Sequence, residues 1–313
     1  MASQVLKELS AYSLFDLEGV VAVVTGGNST RLAQGVGLMI SSTLAANGAS
    51  VYIVGLVQRE LDDICQKYND AAAECGVKGK LIGIQGDVRH KLEAKRIAEE
   101  IERREKYVTV LFNNAGTLQG SYKEPTEPTA AAYIASHFDL MEQTHFDNTF
   151  HTNVVGPYWL SFAFLPLLEK WKNSDDPRTK KFVPQIIMTS SCNGWAKDSR
   201  LSGSYSYNFS KSAIGQFTSL LAHELLPLGI RVNGIAPGFF PSQMSAPGSI
   251  DPATGTSLFP SGTKLAFEIP TVPTGGTRID MGSLVLCLVT NWYINGETVL
   301  IDGGLLLKYP SSY

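Results

Sequence analysis

The apolar residues of this chain fall in short unbroken runs rather than in one long one. Residues 20–24 read Val-Val-Ala-Val-Val. A β-branched run without polar alternation predicts a strand covered on both faces, as in a parallel sheet. Similar runs recur at 50–55, 81–85, 108–112 and 298–301. Residues 38–48 carry an amphipathic helical pattern stopped by Asn47-Gly48, and 91–106 a charged helical stretch. Strands alternating with helices at this spacing predict an α/β architecture with a doubly wound parallel sheet. One domain is expected over 19–313, preceded by an N-terminal extension over 1–18.

The polar positions cluster where these strands end. The first strand runs into Thr25-Gly26-Gly27-Asn28-Ser29, and Gly35-Val36-Gly37 opens the following helix. Strand, glycine turn, helix and strand form half of a dinucleotide-binding unit. Its glycines let backbone N–H groups approach a pyrophosphate at a helix N-terminus. The loop is longer than a minimal one by Thr30-Arg31-Leu32-Ala33-Gln34. Such an insertion costs little closure entropy, but it stands where it would crowd the pyrophosphate. Two later strands end at Gly86-Asp87-Val88 and Asn113-Asn114-Ala115-Gly116. Ligands of open α/β sheets bind at the carboxyl ends of the strands, so the shared location points to one nucleotide site.

Composition narrows the picture. The 313 residues are 44% apolar and 18% charged, enough to bury a sizeable core and to exclude global disorder. The net charge of −3 and the lack of a basic block give no electrostatic case for nucleic acid. Cys65, Cys75, Cys192 and Cys287 are scattered without metal-ligand spacing, so no metal is expected. No run approaches the ~20 apolar residues that span a bilayer, and the first residues lack a signal-peptide stretch. A soluble cytoplasmic protein without a membrane partner is the expectation.

The candidate chemistry lies in the second half. Tyr207 and Lys211 are four residues apart and so share one face of a helix. A phenol is a poor proton donor or acceptor near neutrality, with a reference pKa of roughly 10. A nearby ammonium lowers that value, and the phenol can then exchange a proton with an alkoxide or alcohol. A serine hydroxyl from Ser191 would hold a carbonyl oxygen in place. Together these groups suit hydride transfer to or from a carbon–oxygen bond. A Tyr-x-x-x-Lys pair is by itself more often a surface neighbour pair, so its surroundings carry the case. Ser190 and Tyr205 are the rival side chains, although Tyr205 has Phe209 rather than a lysine four residues on.

With Thr25-Gly26, Gly35, Gly37, Asp87-Val88, Asn113-Asn114-Ala115-Gly116, Asn153, Ser191, Tyr207, Lys211, Pro237-Gly238 and Asp302-Gly303-Gly304 in order, the chain resembles the short-chain dehydrogenase/reductase family. The likeness covers residues 19–304 and implies a single-domain Rossmann fold. Residues 236–244 and the Leu14-Phe15-Asp16-Leu17 leader look closest to fungal members. The resemblance implies Tyr207 as general acid/base, Lys211 as its tuner and ribose contact, and Ser191 as the group that polarises the substrate oxygen. It implies that Asn153 supports a water joining Lys211 to solvent, with a helix-bridging role as the alternative. Asp87 and Val88 would flank the adenine, Asn114, Ala115 and Gly116 the cofactor groove, and Pro237, Gly238 and Ser242 the nicotinamide carboxamide. Ser191 keeps the family's Ser-x-x-Gly spacing to Gly194, and Ser190 does not. Asp302-Gly303-Gly304 reads as a structural turn.

The end of the second strand reads Val54-Gly55-Leu56-Val57-Gln58-Arg59 and has no carboxylate to accept from a ribose 2′-OH. NADP(H) is therefore expected over NAD, with Arg59 or Arg31 near the 2′-phosphate; solvated surface roles are the alternative for both arginines. Residues 118–146 and 239–273 exceed a minimal fold, and residues 195–200 look inserted; long loops of this kind are often lids. Phe239, Phe240, Met244, Leu258, Phe259 and Trp195 suggest an apolar or aromatic small-molecule carbonyl or alcohol substrate. The nearly all-apolar stretch 159–168 fits burial in a subunit interface, and the family resemblance implies a homodimer or homotetramer. The enlarged glycine loop motivates a rival reading as a non-catalytic nucleotide-binding regulator. An epimerase or dehydratase is a third reading, but such enzymes usually carry a larger C-terminal substrate domain.

Overall fold

A computed structural model describes residues 2–26, 35–175, 177, 179–242, 244–245, 265 and 267–313. Gly27, Asn28, Ser29 and Arg31, with the rest of the loop insertion, lie outside the described residues, as do Leu258 and Phe259.

Helices α1 (Ala2–Glu8) and α2 (Ala11–Leu14) precede β1 (Val21–Thr25). Then follow α3 (Val36–Ala46), β2 (Ser50–Gly55), α4 (Gln58–Glu74), β3 (Lys80–Gln85), α5 (Lys91–Glu102) and β4 (Val110–Asn113). The second half contains α6 (Ala130–Tyr133), α7 (Gln143–Phe150), α8 (Gly156–Ala163), α9 (Leu165–Glu169), β5 (Gln185–Thr189) and α10 (Tyr205–Glu224). It ends with β6 (Arg231–Pro237), α11 (Arg278–Thr290), β7 (Thr298–Ile301) and α12 (Leu305–Lys308).

The strands form one seven-stranded parallel sheet in the order β3-β2-β1-β4-β5-β6-β7. The order reverses between β1 and β4, which opens a crevice at their carboxyl ends. Alternation along β1 shows why its run is uninterrupted: Ala22 and Val24 pack into one apolar cluster, Val21 and Val23 into another on the opposite face. The first cluster holds residues of α3 and α11, the second residues of α5, α8 and α10.

Two strands were hidden from the apolar pattern. β5 and β6 are buried throughout, yet β6 carries Arg231 and Asn233 in its interior. Arg231 donates to the carbonyls of Asn291 and Ile294 at 3.1 and 2.9 Å, so its charge serves the end of α11. The nearly all-apolar stretch over 159–168 is not one helix: it is broken at Phe164, and Pro166 lies in the first turn of a second short helix. Leu160, Phe164, Leu167 and Leu168 are buried in the chain's own core, while Tyr158 and Phe162 stay partly exposed. The helical start at Ala130 continues as a π-helix over Ile134–Phe138.

The open edge of the sheet is covered by side-chain amides of α4. Asn69 Nδ2 donates to Leu81 O at 2.9 Å, and its Oδ1 accepts from Leu81 N at 2.8 Å. Gln58 does the same for Gly83 O and Gln85 N, at 3.2 and 2.8 Å. These amides occupy backbone groups of β3 that another strand would otherwise pair with.

Among the described residues no helix is long and apolar enough to cross a membrane. None of their His, Cys, Asp and Glu side chains gather in threes to hold a metal ion.

Candidate active site

The carboxyl ends of β1, β4, β5 and β6 converge on a cavity of about 210 Å³. Gly26, Gly35, Val36 and Gly37 form one wall, Asn114 and Gly116 the floor, and Ser190, Ser191, Tyr207 and Lys211 the far side. Pro237, Gly238, Phe240 and Ser242 close it from the β6 end. Thr25, Ala115 and Asn153 stand behind this lining, and Asp87 and Arg59 lie away from it.

The glycine wall fits a bulky, flat-backed anion on steric grounds. Gly26 has φ of 79°, a left-handed conformation, and a Cβ there would stand 2.7 Å from Ala115 Cα. A Cβ on Gly37 would stand 2.6 Å from Gly26 O and 2.7 Å from Asn114 Nδ2. The N-cap of α3 is Gly35, so no side chain caps this helix end. Its first N–H groups and the positive end of its dipole therefore face the crevice, which suits a pyrophosphate.

Thr25 joins the two halves of the crevice. Its Oγ1 accepts from Asn114 N and Ala115 N, both at 3.0 Å, and its carbonyl accepts from Asn114 Nδ2 at 2.9 Å. This fixes the ends of β1 and β4 side by side, with Val88 buried behind them.

The catalytic candidates come from three elements. Tyr207 lies in the first turn of α10, whose N-cap Ser204 accepts from Tyr207 N at 3.4 Å. Lys211 is one turn further on, and its Nζ is 5.6 Å from the Tyr207 ring centre. Ser191 caps the 3-10 turn Cys192–Gly194, its Oγ accepting from Asn193 N at 3.2 Å. The Ser191 Oγ donates to Pro237 O at 3.4 Å, and the same hydroxyl acts on the Tyr207 phenol in the direction that favours its ionised form. Ser190 differs: its Oγ donates to the backbone carbonyl of Lys211 at 2.8 Å and so braces α10. Tyr205 faces away, packed against Tyr122, His137 and Phe209.

One electrostatic expectation is corrected here. The lysine was expected to lower the phenol's pKa, but burial pushes the Tyr207 phenol up to about 12, only partly offset by the Ser191 hydroxyl. Burial also lowers the Lys211 ammonium to about 8. The ammonium donates to Thr189 O at 2.7 Å, on the side of β5. Desolvation is the largest cause of both shifts, and sequence spacing carries no information about it.

Asn153 sits inside the π-turn His151–Val155 and is buried. Its Oδ1 accepts from Thr117 N at 2.8 Å, and its Nδ2 donates to Thr117 O and Ser210 Oγ, both at 2.9 Å. It thus ties the segment after β4 to α10 beside Lys211. π-Turns recur at functional sites because they re-aim one side chain. Asp87 is held by Arg89, which lowers its pKa, and lines a separate cavity of about 720 Å³ with Leu56 and Gln58. Arg59 is exposed. Asp302 accepts from Gly304 N and Leu306 N at 2.9 and 2.8 Å, the structural turn expected.

The sequence reading missed Thr189 and Ser245 among the lining, whereas Phe240 and Met244, expected beside a substrate, are part of it. The Ser242/Ser245 pair was visible as a three-residue spacing; their hydroxyls lie 3.0 Å apart and hold the turn after β6. Thr189 contributes only a backbone carbonyl to Lys211, which no side-chain pattern reveals.

The profile of the family described as short chain dehydrogenase matches residues 20–252. A short-chain dehydrogenase/reductase of Diaporthe leptostromiformis, PhomF, is 33% identical over 315 positions that cover 100% of both chains. VdtF of Byssochlamys spectabilis, described in the same words, is 32% identical, covering 98% of this chain and 99% of its own. Among solved structures, the Pseudomonas aeruginosa RhlG/NADP active-site complex superimposes with a TM-score of 0.71 at 27% identity, covering 93% of this chain and 98% of that one. The chain belongs to the short-chain dehydrogenase/reductase family. It is therefore an oxidoreductase of the nicotinamide-dependent kind, and the non-enzymatic reading falls away.

Proposed function

We propose that this enzyme interconverts a carbonyl and a secondary alcohol with NADP(H), using Tyr207 as general acid/base, Ser191 as the oxygen-holding group and Lys211 as support. The observation that carries the reading is that Ser191, Tyr207 and Lys211 line one side of the cavity, across from the glycine wall. Two hydroxyls at one point grip a single substrate oxygen: Ser191 donates to it while Tyr207 gives or takes its proton.

The bound nicotinamide supplies the hydride. The chain's own residues do the rest. Gly26, Gly35, Val36 and Gly37, with Thr25 behind them, would hold the pyrophosphate, and Asn114, Ala115 and Gly116 the adjoining ribose. Gly27, Asn28 and Ser29 belong to the same turn in sequence. Asp87 and Val88 would flank the adenine, and Pro237, Gly238 and Ser242 the carboxamide. A Cβ on Gly116 would stand 3.4 Å from Asn153 Oδ1 and 3.5 Å from Lys211 Nζ, so this glycine keeps both groups close to the groove. Asn153 would carry protons from Lys211 toward solvent through a water.

NADP(H) is the preferred cofactor because the turn after β2 offers Leu56, Val57 and Gln58 but no carboxylate. Arg59, exposed at the start of α4, and Arg31 are the candidate 2′-phosphate partners. RhlG, whose structure contains NADP, supports this preference. The apolar side chains of Phe240 and Met244 at the cavity favour an apolar or aromatic small molecule. Partly exposed Tyr158, Phe162, Phe209 and Leu220 on α8 and α10 support a homodimer or homotetramer. The residue 19–313 unit is part of the same proposal; of its long 239–273 loop, residues 246–264 lie outside the described residues.

A panel of carbonyls with NADPH, and of alcohols with NADP, tests the reading beside Tyr207→Phe. Loss of turnover by about 10²–10⁴ in the variant is expected. Full activity of Tyr207→Phe on a substrate that the parent reduces rules the mechanism out.

A further inference from the structure

The turn after β6 brings one aromatic side chain to two cavities. Phe240 lines the catalytic cavity of about 210 Å³ together with Ser191, Tyr207 and Lys211. It also lines a second cavity of about 250 Å³, whose other apolar walls are Phe239, Ile269, Val272 and Ile301. Among the described residues, Phe240 is the one that the two linings share. Its position is fixed from several sides. The residue is 4% exposed and belongs to the apolar cluster that α3 and α11 join. Its carbonyl accepts from Ser245 Oγ at 2.6 Å, and Gly276 N donates to Phe239 O at 2.9 Å. The ring lies against the backbone of Gly276, where a Cβ would stand 2.4 Å from Phe240 Cζ. The polar groups of the second cavity are engaged locally. Asp280 Oδ2 accepts from Thr277 N and Oγ1 at 2.8 and 2.6 Å, and Thr271 Oγ1 donates to Gly303 O at 2.9 Å. The carboxylate of Asp302 accepts from Gly304 N and Leu306 N. The remaining walls are apolar and suit an alkyl chain.

Resting on the reading that Ser191 and Tyr207 hold the reacting carbon–oxygen bond, we propose that Phe240 is a specificity-determining residue whose ring closes the catalytic cavity against the second one. The ring thereby limits how long an alkyl chain the substrate carries beyond its carbonyl. With the ring in place the catalytic cavity ends at Phe240, and compact carbonyl compounds are favoured. Without it the two spaces join, and a chain anchored at Ser191 and Tyr207 runs on between Phe239, Ile269 and Val272. Each methylene that leaves water for apolar surroundings gains roughly fourfold in binding. The ring meets the far end of the substrate and takes no part in proton transfer. Its loss therefore changes kcat/KM according to chain length rather than uniformly.

The test uses the full chain with NADPH and straight-chain methyl ketones of graded length, from butanone to decanone. Phe240→Ala is expected to raise kcat/KM for decanone relative to butanone by about tenfold or more over the parent, the gain of two methylenes that enter the second cavity. Most of the change lies in KM. Phe240→Leu keeps an apolar residue in the core and should show the same shift at smaller size, so the test stands even where Phe240→Ala does not fold. Val272 is 41% exposed and lines only the second of the two cavities. Val272→Phe added to either variant fills that space and should withdraw the gain. A length profile equal to the parent's in both variants overturns the proposal. So does an equal loss for every ketone with weaker NADPH binding, which would assign the ring to the nucleotide or the core. A gain that survives Val272→Phe, or no turnover of any ketone by parent and variants alike, overturns it as well. Tyr207→Phe is assayed beside them: if it is inactive while the Phe240 variants keep the parent profile, only the role of Phe240 falls and the catalytic reading stands.

Discussion

The ammonium of Lys211 donates to the carbonyl oxygen of Thr189 at 2.7 Å, two residues before Ser191. The bond fastens α10 to the end of β5, and Ser190 Oγ reinforces it by donating to Lys211 O at 2.8 Å. The serine turn and the tyrosine helix are thereby held in one register, but the ammonium is buried to achieve it. Burial lowers its pKa from the ordinary 10.5 to about 8. The folded value lies below the unfolded one, so between these two pH values the unfolded chain binds more protons and stability rises with pH. Lys211→Met is expected to remove this rise. At pH 7 the variant gains up to about 3 kcal/mol relative to the parent from losing a buried charge, and the gain shrinks to near zero by pH 10.5. Denaturant unfolding of both proteins across this range checks it; a difference that does not change with pH contradicts it.

The two neighbouring serines are expected to separate cleanly. Ser191→Ala removes the hydroxyl that lines the cavity with Tyr207, and kcat should fall by about 10²–10³, the usual loss for one oxyanion-type donor. Ser190→Ala removes only the brace on Lys211 O. It should keep kcat within a few-fold of the parent and cost about 1 kcal/mol of stability. Steady-state rates and thermal melts on the pair distinguish them; a larger kcat loss in Ser190→Ala would reverse the assignment.

Much of this site was legible because its parts are side chains at fixed spacings. Tyr207 and Lys211 are one helical turn apart, and the glycines precede a helix that needs them for close approach. Five strands announced themselves through unbroken β-branched runs, since both faces of a central parallel strand are buried. β6 did not, because Arg231 and Asn233 spend their polar groups on backbone carbonyls inside the core. Desolvation was equally invisible, so the direction of the Tyr207 shift was misjudged. The pairing of Ala196 with Ser311 spans most of the second half of the chain and leaves no local signal.

The crevice between β1 and β4 has no room for one extra carbon. A Cβ at position 37 meets Gly26 O and Asn114 Nδ2 well inside van der Waals contact. Gly37→Ala should destabilise the protein by about 1–3 kcal/mol as the ends of β1 and β4 part. The same shift spoils the phosphate cradle. NADPH, which should raise the parent's Tm through binding to the folded state, should give the variant a much smaller rise. Melting curves with and without NADPH check both effects, and an undiminished rise would show that this wall does not hold the nucleotide.

The cover over β3 makes a prediction about self-association. Asn69 satisfies both backbone groups of Leu81 at 2.9 and 2.8 Å. Asn69→Leu leaves them without partners and should cost about 1–3 kcal/mol. It also exposes part of a sheet edge, so the variant should aggregate on warming sooner than its stability loss alone explains. Gln66→Leu, one turn earlier on the same helix and exposed, is the control. Light scattering during a thermal ramp compares the two, and equal aggregation would mean that the amide cover is incidental.

Cofactor choice is expected to depend on one position at the end of β2. Leu56 lines the same cavity as Asp87 and is more than half exposed, so a new side chain there enters that cavity rather than the core. A carboxylate at this point accepts from a ribose 2′-OH and repels a 2′-phosphate. Leu56→Asp should therefore lower kcat/KM with NADPH and raise it with NADH, moving their ratio by at least about tenfold, or roughly 1.4 kcal/mol. Arg59→Ala should weaken NADPH and leave NADH unchanged, because only the former carries the charge that an arginine recognises. If Arg59 is instead a solvated side chain, its replacement will affect neither cofactor, and Leu56→Asp will still shift the ratio. A parent enzyme that prefers NADH, with a ratio unmoved by Leu56→Asp, would place the 2′ end of the nucleotide away from this turn and refute the NADP(H) assignment.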